Sequence, residues 1–252
     1  MYLKYLISLL VTVAVLAGGF FWLNTYIYDQ KQGGVEDPKD VTFTIDGQTL
    51  TRTSPGVTYF GNEAKGDLND DTVPDIAFLI TYAGGGSGTF YYVVVALQNA
   101  AGRYNGSNAV LLGDRVAPQT SEVRNGILIV NYADRKPGEP FTSQPSVGVS
   151  KYIIFDGVDL IAIPVPGPIT IEGSMVCLPH RDTEGQQTME CAFGLLDDES
   201  RYFALSDTDP EYKNIAGVPM DQRVKVEGAF KLQLGSKYQD IGIIEVTRIT
   251  PL

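Results

Sequence analysis

Asp67, Asn69, Asp71 and Asp75 bring four oxygen-bearing side chains into one short stretch, Gly66-Asp-Leu-Asn-Asp-Asp-Thr-Val-Pro-Asp75. Alternate oxygen side chains on a tightly turning loop converge on one point. A hard cation such as Ca²⁺ needs such convergence, because it takes six to eight oxygens at roughly 2.3–2.6 Å. The spacing therefore predicts a Ca²⁺ loop. A solvated turn would use the same residue types, because Asp and Asn side chains also bond their own backbone.

Three further groups bear on chemistry. The chain has one histidine, His180, and two cysteines, Cys177 and Cys191. Any Ser-His-Asp or Cys-His arrangement would have to run through His180. In an exported domain the two cysteines read as a disulfide. Reduced thiols are one alternative. A metal site is another, in which Cys177-x-x-His180 and Cys191 are joined by Asp182, Glu184 or Glu190. The run Gly84-Gly-Gly-Ser-Gly88 reads as a hairpin tip near the acidic loop. It lacks the Lys-Ser/Thr of a phosphate loop, and a strand rather than a helix follows it.

The elements that must hold these groups are mostly strands. Residues 41–45 alternate, turn at Asp46-Gly47 and return through 49–52, a hairpin signal. Residues 76–83 and 89–97 are continuous apolar runs, the mark of strands buried on both faces or central in a sheet. Residues 109–112, 127–132, 150–155 and 160–163 add shorter strands. Three prolines in residues 164–168 mark a boundary between domains. Beyond it come strands over 169–178, 189–196, 201–205, 223–232 and 241–249, with a short irregular or helical segment around 212–216.

The N-terminus reads differently. Residues 5–23 carry no charge and match the roughly 20 residues that span a bilayer as helix. Tyr2 and Tyr5 flank one end, and Phe20, Phe21, Trp22, Tyr26 and Tyr28 the other, as interfacial belts. The run is longer than the apolar core of a cleaved signal peptide, and no small-x-small site ends it. These features predict a transmembrane anchor over 1–28, a polar stalk over 29–40, a β-rich domain over 41–163, a Pro-rich linker over 164–168 and a barrel over 169–252. Lys4 before the run places the later domains outside the plasma membrane.

The formal net charge is −11. Residues 40–167 carry 8 basic against 13 acidic side chains, and residues 168–252 carry 8 against 14. Neither part is basic, so binding to nucleic acid through its phosphates is not expected.

Two resemblances follow. Residues 66–76 resemble the calcium loop of FG-GAP and integrin-α repeats, Asp-x-Asn/Asp-x-Asp-Gly-x-x-Asp before a strand. That resemblance implies Asp67, Asn69, Asp71 and Asp75 as side-chain ligands and the Val73 carbonyl as a fifth. Thr72 stands where the family has Gly, so a residue that disfavours positive φ must make the bend. There is one copy, whereas such repeats build propellers from several. The part from about residue 170 resembles OB-fold domains in its order of five strands. It also has two Glu-Gly pairs, Glu172-Gly173 and Glu227-Gly228, each before an apolar segment, where glycine lets a strand bend. The whole chain resembles membrane-anchored bacterial envelope proteins.

Together these readings predict an anchored extracytoplasmic binding or interaction protein with a structural Ca²⁺ site, whose partner is an envelope protein or a glycan. A hydrolase using paired carboxylates, or a plain structural spacer, are the alternatives.

Overall fold

The computed structural model describes residues 34–181, 191–209, 214–233 and 236–252. The anchor expected over 1–28 and most of the stalk lie outside these residues. Among the described residues no helix is long and apolar enough to cross a membrane. The protein is mainly β. Its contacts divide it into two compact units between Ala162 and Ile163.

The first unit follows a 3₁₀ turn, Pro38–Asp40, and contains eleven strands: β1 (Phe43–Ile45), β2 (Gln48–Leu50), β3 (Val57–Gly66), β4 (Asp75–Tyr82), β5 (Phe90–Gln98), β6 (Tyr104–Gly106), β7 (Val110–Asp114), β8 (Ala117–Arg124), β9 (Ile127–Asp134), β10 (Val147–Phe155) and β11 (Leu160–Ile163), the last of which ends across the division. One sheet has the order β3-β4-β5-β6, with β7 also paired to β5. A second has the order β11-β10-β9-β8, and β1-β2 forms a separate hairpin.

The apolar runs of β4 and β5 are explained by two cores, one on each face of the first sheet. Ala77 and Leu79 of β4, with Val93 and Val95 of β5, face Leu128, Val130, Tyr132 and Ile153 of the second sheet. The alternate residues Phe78 and Ile80, with Tyr92, Val94 and Ala96, meet Val41, Phe43 and Ile45. Period-two geometry sends neighbouring side chains to opposite faces, so a strand with both faces covered must be apolar throughout.

Three strands were not anticipated from the sequence: β3, the short β6 and β8. β3 is broken by bulges around Gly61, where Gly61 (φ 102°) and Asn62 (φ 55°) leave the extended region. β8 is largely exposed and polar, and pairs only with β9. Residues 34–40, expected as the end of the stalk, belong to the fold. Val35 and Tyr104 exchange backbone bonds at 2.9 and 2.7 Å, and the Arg103 guanidinium donates to the Gly34 carbonyl.

The second unit is a closed five-stranded barrel of β12 (Gly167–Cys177), β13 (Phe193–Asp197), β14 (Tyr202–Asp207), β15 (Arg223–Lys231) and β16 (Ile243–Pro251). The order around the barrel is β12-β13-β14-β16-β15, and β14 pairs with β16 in parallel. Met175, Leu195, Phe203, Phe230 and Ile244 are fully buried. The two Glu-Gly glycines sit where backbones nearly touch. A Cβ at Gly173 would lie 2.4 Å from the Leu196 carbonyl oxygen, and one at Gly228 would lie 2.3 Å from that of Glu245. Both contacts exclude a side chain, and the β15–β16 ladder shifts register between Glu227 and Gly228.

Candidate functional site

The acidic loop lies between β3 and β4. Its side chains are engaged with its own backbone. Asp67 Oδ2 accepts the Thr72 N–H at 2.7 Å, and Asp71 Oδ1 accepts that of Val73 at 2.8 Å. Asn69 Oδ1 accepts the Asp71 N–H, while Asn69 Nδ2 donates to Asp71 Oδ2. Asp75 is fully buried, and its two oxygens take the N–H groups of Leu68 and Gln98. Burial pushes the Asp75 carboxyl up to about 6, against the lowering effect of those two bonds. Asp71 and Asp67 add to the rise. Thr72 makes the bend that glycine makes in calcium loops, at φ 68°.

Among the described residues, no three His, Cys, Asp or Glu side chains are gathered as a metal-holding group. The donors still suit a hard cation in kind. Asp67 Oδ1 is buried with no hydrogen-bond partner. A carboxylate oxygen that accepts one N–H also keeps a second lone pair. The same oxygens can therefore cap the loop and face an ion.

The glycine loop, residues 84–88, joins β4 to β5 as the hairpin tip the sequence predicts. It is not near the acidic loop. Asp75 begins β4 and Tyr82 ends it, so the two loops lie at opposite ends of that strand. Two of its glycines support rings. A Cβ at Gly84 would lie 3.0 Å from the Tyr82 ring, and one at Gly88 would lie 2.7 Å from the Phe90 ring.

Those rings belong to a groove that sequence reasoning missed. The β1-β2 hairpin is too short to cover the whole face of the first sheet. Beyond its turn, that face continues as Tyr82, Phe90, Tyr92 and Leu111 around an open groove of ≈ 440 Å³. Ile45, Asp46, Gly84, Gly86 and Ala109 complete the lining. Tyr82 pairs directly with Phe90 across β4 and β5, and Tyr92 pairs with Ile80 and Leu111, so these side chains share one face. Phe90 and Leu111 remain exposed. Burial raises the Tyr92 hydroxyl, helped by the nearby charge of Asp46 and then by Tyr82. The residues come from four separate parts of the chain. Only the Asp46-Gly47 turn and the glycine run stood out in the sequence, and neither marked a groove.

In the barrel, Cys177 and Cys191 form a disulfide, and no free cysteine is present among the described residues. The reduced-thiol and Cys-His metal readings are thereby excluded, because both sulfurs are consumed. His180 lies against Tyr238, with ring centroids 4.8 Å apart, and its Nε2 is buried without a hydrogen-bond partner. Asp182, Glu184 and Glu190 lie outside the described residues. Asp197 anchors the turn between β13 and β14: its oxygens accept from the backbones of Glu199 and Arg201 and from the Arg201 guanidinium.

Comparison of the chain with protein-family models, with curated proteins and with solved structures finds no match.

Proposed function

We propose that the protein is a non-catalytic binding module, anchored through its N-terminal apolar segment on the outer side of the plasma membrane, whose ligand occupies the Tyr82–Phe90–Tyr92 groove. The groove itself carries this reading. Its volume falls within the roughly 300–1,000 Å³ of small-molecule sites, and its walls are mainly aromatic and aliphatic. Its position agrees with an anchored module. The chain joins the first unit at the Gln98–Tyr104 end of the sheet, through Val35. The groove opens at the Phe90 end, about 27 Å away by strand rise.

In the same reading the barrel is an OB-type domain, supported by its strand order and its parallel β14–β16 closure. Ca²⁺ at Asp67, Asn69, Asp71, Asp75 and the Val73 carbonyl would fix the loop between β3 and β4. The unpartnered Asp67 oxygen supports that assignment. An envelope glycan or protein would then present the small group that enters the groove.

Phenol tests the groove as an aromatic probe. Gly86 lines the groove, and a Cβ there meets nothing within 4 Å, so the backbone at this position accepts a side chain and Gly86→Trp adds a ring at the groove. Saturation transfer from wild-type protein to phenol should be lost in Gly86→Trp. Equal transfer in both proteins would refute the assignment.

A further inference from the structure

The groove combines three aromatic side chains with one carboxylate. Asp46 is exposed at its rim and, among the described residues, has no ion-pair partner. None of the lining residues is basic. The left-handed conformation of Asp46 (φ 49°), followed by Gly47 (φ 77°), fixes this carboxylate at a tight two-residue turn over the end of the sheet. A carboxylate in a groove lined by Tyr82, Phe90 and Tyr92 is a combination that attracts an organic cation. An ammonium group with an apolar body also matches the rest of the lining, because Ile45 and Leu111 supply aliphatic contact.

We infer that the groove binds a small organic cation of the substituted-ammonium class, held by the rings of Tyr82, Phe90 and Tyr92 and paired with the Asp46 carboxylate. This inference rests on the groove being the ligand site.

Choline and 3,3-dimethylbutan-1-ol have nearly the same shape and differ in the central charged nitrogen. Each is titrated against the full chain in a maltoside detergent, with saturation transfer to the ligand methyl groups as the readout. Wild-type protein should bind choline at least about threefold more tightly than the alcohol. Asp46→Asn keeps a residue type that tolerates the left-handed turn and should remove most of that preference. Equal affinities for the two probes, both abolished by Gly86→Trp, would overturn the cation assignment and leave the groove as a site. If neither probe binds, or if Gly86→Trp changes neither, the groove reading falls and the inference falls with it.

Discussion

The Asp75 carboxylate and the Gln98 backbone N–H meet at 2.8 Å, joining the first residue of β4 to the last of β5. The other Asp75 oxygen holds Leu68. One buried side chain thus ties the acidic loop to the end of a central strand. In metal-free solution, this carboxyl makes stability depend on pH. The folded state keeps the Asp75 proton up to about pH 6, whereas an unfolded Asp releases it near 3.9. The stabilising effect of protonation is therefore complete below about pH 4 and is lost as pH rises through 6. Urea unfolding with a chelator present should show that fall. Asp75→Asn should flatten it and also cost about 1–3 kcal/mol at neutral pH, since an amide cannot accept both N–H groups equally well.

Thr72 offers a test of opposite sign. A β-branched residue at φ 68° is strained, and its backbone N–H donates to the Asp67 carboxylate, a bond that glycine would keep. Thr72→Gly should raise stability by about 0.5–1 kcal/mol, after the extra freedom of glycine in the unfolded chain is counted. The midpoint of urea unfolding measures it. An unchanged or lower midpoint would mean that the threonine is not strained there.

Calcium should add to that stability. In the wild-type protein, millimolar Ca²⁺ should raise the melting temperature, and Asp71→Ala should remove the shift. The weak range of extracellular sites, about 10⁻⁴–10⁻³ M, sets the concentrations to use. Equal shifts in mutant and wild type would place the ion elsewhere or make the effect nonspecific.

Asn108 joins the β1 hairpin region to the second sheet. Its side chain acts as a short strand: Nδ2 donates to the Leu160 carbonyl at 3.0 Å, and Oδ1 accepts the Leu160 N–H at 2.6 Å. Asn108→Ala leaves both backbone groups partly buried and unpaired, which should cost about 1–3 kcal/mol. Hydrogen exchange at Leu160 should report the loss directly.

The disulfide closes a loop with a sequence separation of 14. In the chain-entropy description, such a closure stabilises by about 3 kcal/mol. Replacing both cysteines by serine should lower barrel stability by that order. Intact mass before and after reduction with alkylation checks that the bond is present.

Sequence reading and structure agree where local physics leaves little choice. The runs of β4 and β5 had to be buried on both faces, because no polar face was available to either. Cys177 and Cys191 had few other uses in a chain with one histidine. Glycines 173 and 228 were read as bends; close carbonyl contacts demand glycine at both, and a register shift accompanies Gly228. The failures have causes too. In β3, Gly61 and Asn62 interrupt the alternation with bulges, so the strand does not declare itself. The polar residues of β8 suit an edge, and edge strands need little apolar sequence. The groove was invisible because Ile45, Tyr82, Tyr92 and Leu111 become neighbours only through pairing that no local pattern specifies.

The parallel seam between β14 and β16 bears on how this protein is made. β16, the last of the five strands to leave a ribosome, is inserted between two strands that precede it. Until it arrives, β14 and β15 each present an unpaired edge, and the barrel interior stays open to solvent. The second unit therefore cannot complete its fold during synthesis of its first four strands. For that interval its two open edges are available to edge-to-edge association.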